Sequence, residues 1–162
     1  MANINNEVVV VNDLRISKLR TFLMSIIDNI LTDKKYQINA NMLSSDVNNY
    51  SLDKIPTASI VERWVNGDII YRDVYSFRSR NNYSQDTLIN LLNVGFFEIF
   101  EQEIELKNKT KTLPEIEGIE SIECLNCGSM TNATTNSAEF DIQIQITYKG
   151  GSLWQQQRQI SL

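Results

Sequence analysis

The 162-residue chain contains no histidine at all. Histidine is the commonest general base near neutral pH and the commonest metal ligand, so its absence excludes Ser-His-Asp and Cys-His mechanisms outright. Only two cysteines are present, Cys124 and Cys127. They form a single CxxC with no second pair or histidine to complete a tetrahedral zinc site. The motif also lacks the βαβ context that a thioredoxin-like redox role needs, so the two thiols read as ordinary reduced cysteines at a strand end. Long hydrophobic runs are missing too. The longest, Val8–Val11, falls far short of the ~20 residues that span a bilayer, and no charged segment leads into an apolar one as in a secretion signal. The expectation is a soluble chain made in the cytoplasm, with no membrane contact. Net charge is −5 and the lysines and arginines are dispersed, so no dense basic face for nucleic-acid phosphates is visible. No internal repeat, low-complexity tract, Gly-rich phosphate loop or paired-carboxylate motif stands out. No cofactor, metal or catalytic residue is expected.

What is present is a pattern of amphipathic elements within one domain, large enough to bury roughly 70% of its unfolded surface. From Asp13, Leu19, Phe22, Leu23, Ile26, Ile27, Ile30 and Leu31 recur at three- and four-residue spacing, which predicts a helix ending near Thr32. Tyr36, Ile38, Ala40 and Met42 alternate with polar residues and predict a strand. The polar run Ser44–Ser51 reads as a loop. Ser59–Val65 and Ile69–Arg78 predict a β-hairpin around Asn66-Gly67-Asp68, whose residues tolerate the positive φ of a tight turn. In the second strand Ile69, Tyr71, Tyr75 and Phe77 share one face, interrupted only by Asp73, while Ile70, Arg72, Val74, Ser76 and Arg78 take the other.

Ser84 supplies a helix cap and Asp86 a favourable charge in the first turn, so a helix starts near Gln85. Its stripe of Leu88, Leu91, Leu92, Phe96, Phe100 and Ile104 is interrupted by Gly95, which fits either one kinked helix or two short ones. Gly118–Leu125 predicts a strand. Ala138, Phe140, Ile142, Ile144, Ile146 and Tyr148 alternate with polar residues in a further strand with one buried face. The fold class is therefore α+β, an antiparallel or mixed β-sheet flanked by helices. Residues 1–12 read as an N-terminal arm, 13–149 as a single domain and 150–162 as a C-terminal tail containing Trp154.

The run IPTASIVERWVNGDIIYRDVYSFRSRNNYSQD, followed by NVGFFEIFEQEIE, LPEIEGIESIEC and SAEFDIQIQITY, resembles a family of small proteins from phages and prophages of Gram-positive bacteria. Its members are described as minor capsid or tail-terminator-like proteins, and the resemblance covers roughly Tyr36–Lys149. It rests on the order of short motifs: Ile55-Pro56-Thr57, Gly67 with Arg72, Ser79-Arg80 with Tyr83 and Asp86, Gly95-Phe96-Phe97, and Leu113-Pro114. The resemblance implies a structural virion protein with the fold of long-tailed phage tail terminators, assembled as a homo-hexameric ring at the head-proximal end of the tail tube. Such a ring ends tube growth and joins the tail to the neck. The implied partners are further copies of the chain, the tail tube protein, a neck or head-completion protein and, in a contractile tail, the sheath. DNA passes through the ring without specific binding.

An alternative within the same class is another neck component, a stopper or head-completion protein. Some relatives carry the label chloramphenicol resistance protein, which makes a small acyltransferase the alternative from another class. The familiar trimeric acetyltransferases use a histidine base, which this chain lacks. Arg72, Arg78, Arg80 and Tyr83, with Trp154 in the tail, are the candidate contacts between subunits or with the tail, since arginine and aromatic residues are enriched at interface anchors. The competing reading is that Arg80 and Asp86 pin the strand-to-helix turn within one subunit.

Overall fold

A computed structural model describes residues 14–31, 36–40, 42–43, 49–82 and 87–150. In chain order the elements are α1 (Arg15–Ile30), β1 (Gln37–Ala40), β2 (Asn49–Ile55), β3 (Ile60–Arg63), β4 (Ile69–Asn82), α2 (Thr87–Lys109), β5 (Ile119–Cys124), β6 (Ser129–Ala133) and β7 (Ser137–Gly150). The seven strands form one sheet. Its spine is the antiparallel pair β4–β7, in register from Ile69 opposite Gly150 to Asn82 opposite Ser137. β2 and β3 lie along the outer edge of β4, and β5 and β6 along the outer edge of β7. β1 adds to β2 in parallel, which makes the sheet mixed.

The two-residue period of the long strands decides the layering. In β7, Ala138, Phe140, Ile142, Ile144, Ile146 and Tyr148 are all buried, while the alternate residues are half-exposed. In β4 the odd positions Tyr75 and Phe77 join the same core. Both helices pack on this one face. Leu19, Leu23, Ile26 and Ile27 come from α1, and Phe96, Phe97, Phe100 and Ile104 from α2. Rings interlock at the contact: Phe77 stacks on Tyr50 at 5.3 Å and on Phe100 at 5.2 Å, and Phe97 meets Phe140 at 5.4 Å. Each such side chain contributes roughly 1.5–3 kcal/mol through burial alone. The molecule is thus a two-layer α+β sandwich, and among the described residues no helix covers the second sheet face.

Three local outcomes differ from the sequence reading, and one open alternative is resolved. The loop expected through Ser51 gives way at Asn49 to β2, because Tyr50 and Leu52 face the core beneath a mostly polar sequence. The strand β6 has no apolar face to announce it, since all five residues are exposed and it joins β7 by backbone pairing and a hydrogen bond from the Thr131 hydroxyl to the Glu139 carbonyl. α2 runs unbroken through Gly95, so the expected alternatives resolve to a single helix. Gly118, expected to begin a strand, instead precedes β5 with a left-handed φ of 73°. α1 ends at Ile30, within two residues of the expected end. The hairpin forms as expected, with Gly67 at φ 92° and the Trp64 amide donating to the Asp68 carbonyl (2.8 Å). Ser84, Gln85 and Asp86, the terminal arm and the residues after Gly150 lie outside the described residues.

Candidate functional site

Strand alternation sends Arg72, Val74, Ser76, Arg78 and Arg80 to the sheet face opposite the helices, where the register supplies acceptors on β2 and β7. Arg78 Nη2 lies 2.5 Å from Asp53 Oδ2 on β2, and Asp53 in turn accepts from the Ser51 hydroxyl at 2.7 Å. Arg80 forms an ion pair with Glu139, directly opposite on β7. The Ser76 hydroxyl donates to Asp141. Arg72 Nε donates to the Ala58 carbonyl at 2.9 Å, tying the entry of β3 to β4. Each of the three arginines therefore has an acceptor within its own chain. Arg78 Nε is buried with no hydrogen-bond partner among the described residues. Tyr83 and Trp154 lie outside the described residues.

The opposite face of β4 holds the one charged group buried in the core among the described residues. Asp73 is only 2% exposed. A buried carboxylate is costly unless paired and hydrogen-bonded, and here four groups converge on it. Arg15 Nε at the start of α1 donates at 2.8 Å, and Lys54 Nζ on β2 lies at 3.4 Å. The Tyr75 and Tyr148 hydroxyls approach at 3.5 and 3.4 Å. The Arg15 guanidinium also sits 4.7 Å above the Tyr148 ring. Burial, reinforced by the Asp73 charge, raises the pKa values of both tyrosines above the ordinary phenol value, so both keep their protons. For Arg15, burial works most strongly against the charge, but the bond to Asp73, the Asp73 charge and the neighbouring tyrosines together outweigh it and the pKa is raised. The cluster clasps α1 to the sheet, with its acceptor enclosed by the groups it binds. Its sequence signal was the single acid in the apolar face of β4.

The CxxC runs from the last residue of β5, Cys124, into the turn that follows. Cys124 is half-buried and Cys127 exposed, and both are free thiols. Burial and the nearby Glu101 charge push the Cys124 thiol up to about 12, which disfavours the thiolate that nucleophilic or ligand chemistry requires. Glu101 instead accepts the Gly128 amide at 2.9 Å, and Gly128 packs so closely on Phe97 that a Cβ there would fall 2.4 Å from its ring. Among the described residues no three Cys, Asp or Glu side chains group as a metal site. An open surface depression lies between the end of α2 and β5, lined by Lys111, Leu113, Pro114, Ile119, Glu120 and Ser121. No described helix is long and apolar enough to cross a membrane.

The remaining distinctive surface is apolar. At the β3–β4 hairpin Val61 and Trp64 are about half exposed, and Val65 is fully exposed. On α2, Val94, Ile99 and Leu106 are each about half exposed. No protein-family model matches this chain, and no curated protein matches it significantly.

Proposed function

We propose that this chain is a structural subunit of a phage tail, a tail terminator that works by self-association and docking. Its ring sits at the head-proximal end of the tail tube, ends tube growth and joins the tail to the neck. The observation that carries the reading is the division of the molecule's polar and apolar surface. The strongly polar groups Asp73, Arg78 and Arg80 are paired within the chain, whereas apolar side chains stand exposed on a projecting hairpin and on α2. Exposed apolar patches mark interaction surfaces more often than chemistry. The order of motifs from Tyr36 to Lys149 points to the same class, and the lack of histidine weighs against acyl transfer. A net charge of −5 also suits a ring through which DNA slides without being held.

Electron microscopy of the purified full chain, alone and mixed with tail tubes, tests the proposal. Rings that cap one end of the tube are the expected result. Monomers only, at high concentration and with tubes present, would overturn it. Locating the chain in an assembled particle separates a terminator from a stopper, since the terminator contacts the last tube ring.

A further inference from the structure

We infer that the β3–β4 hairpin tip of one copy docks on the outward face of α2 in the next copy, around Gly95 and Ile99. This rests on the ring reading above and names the contact that closes the ring.

The α2 side of the contact is one helical stripe. Gly95, Glu98, Ile99, Gln102 and Leu106 follow i, i+3, i+4, i+7 and i+11, opposite the buried Phe96, Phe97, Phe100 and Ile104. Ile99 is 47% and Leu106 52% exposed. Gly95 is the informative member, because glycine within a helix is unfavourable relative to alanine. Its φ is not left-handed, and a Cβ built there meets nothing within 4 Å. No described feature of the chain thus requires a glycine at this position. A glycine here leaves room for a neighbouring molecule to approach the helix closely.

The hairpin side is apolar, rigid and distant. Val65 is fully exposed, with Val61 at 53% and Trp64 at 45%. The turn is nonetheless fixed. The Asn66 side chain donates to the Asp68 carboxylate at 2.9 Å and accepts the Asp68 amide at 3.1 Å. Lys149 pairs with Asp68 at 2.8 Å and lies 5.0 Å from the Trp64 ring centre. A tip that is ordered before binding loses little entropy when it docks.

One pair of charges is compatible with this docking. Among the described residues neither Arg63, beside the tip, nor Glu98, in the α2 stripe, takes an ion-pair partner, and their signs are opposite. The two patches cannot meet within one chain. The hairpin leaves the sheet where Ile69 faces Gly150, whereas Phe96 packs on Tyr50, which pairs with Ser79. Those ends are ten β4 residues apart, about 33 Å of strand. Two different complementary patches on one chain make a head-to-tail contact, the type that closes into rings.

Sedimentation of the full chain and its variants tests the contact. Val65→Asp and Ile99→Asp should each abolish rings without unfolding the chain, because both sites are exposed. Mixed together they should form dimers and stop there, since each pair retains one intact hairpin-to-helix contact. Gly95→Ala should raise the melting temperature of the isolated subunit yet weaken association about tenfold or more. Arg63→Glu should weaken association, and adding Glu98→Arg should restore it. If rings form normally from Val65→Asp and Ile99→Asp, another surface closes them, and the contact is wrong while the terminator reading stands. If those rings form but no longer bind tubes, the hairpin's occupant is the tube protein, which also overturns the contact. If the unaltered chain never assembles, both readings fall.

Discussion

Asp73 illustrates how far single residues carry the argument. Its position in the apolar stripe of β4 was visible as the one break in an otherwise hydrophobic face. The groups that make it tolerable were not, because Arg15 is 58 positions away and Tyr148 is 75. The carboxylate is enclosed, whereas Arg15 and Lys54 are about half exposed, so the attraction is partly screened. Removing the acceptor leaves two tyrosine hydroxyls and a guanidinium short of a partner in or beside the core. Asp73→Ala should therefore destabilise the subunit by roughly 2–4 kcal/mol in urea unfolding, towards the lower end of the range for broken buried pairs. Arg15→Ala should have a smaller effect, because Lys54 and the tyrosines still face the carboxylate. An Arg15→Ala loss as large as that of Asp73→Ala would mean that the clasp depends on this one ion pair.

At the scale of elements, legibility followed burial. β4 and β7 could be read because one face of each is sealed by the helices, so apolar residues recur at every second position. β2 was half hidden, since Asn49, Ser51, Asp53 and Lys54 outnumber the two side chains that enter the core. β6 carries no such signal because all its side chains are exposed. The register between strands was equally out of reach, and with it the pairing of Arg80 with Glu139, 59 positions apart. The candidate contact residues were thus identifiable by type, but their cross-strand partners were not. Register also explains Gly118. It has φ 73°, and a Cβ there would lie 2.3 Å from the Lys149 carbonyl oxygen, while Lys149 N donates to the Gly118 carbonyl at 2.8 Å. Gly118→Ala should cost about 1–3 kcal/mol and lower the melting temperature. Gly95→Ala should shift the melting temperature of the isolated subunit the opposite way. Equal effects at the two glycines would contradict this assignment of their roles.

For the whole molecule, the proposed function rests on resemblance and on exposed apolar surface, because a subunit that would act by assembly needs no catalytic signature. Its stability profile follows from the buried hydroxyls and thiol. Without histidine, no side chain has its ordinary pKa near 6.5, so side-chain titration leaves stability nearly level around neutral pH. Above that the sign is fixed by linkage. Burial raises the pKa values of Tyr50, Tyr75 and Tyr148, and pushes Tyr36 and Cys124 up to about 12 each. As pH rises past the ordinary values of 9.0 for Cys and 10.0 for Tyr, the unfolded chain releases protons that the folded chain keeps. Stability is therefore fully present below about pH 9 and falls as pH climbs towards the raised values, by up to about 1.4 kcal/mol per pH unit for each fully mismatched group. Urea unfolding at pH 8 and pH 10.5 should show a clear loss at the higher pH. Tyr50→Phe removes one ionisable group while keeping its ring in the stack on Phe77, so it should make that loss shallower. An unchanged slope in this variant would mean that Tyr50 titrates alike in the folded and unfolded chains, contrary to its burial at 2% exposure beneath the helices.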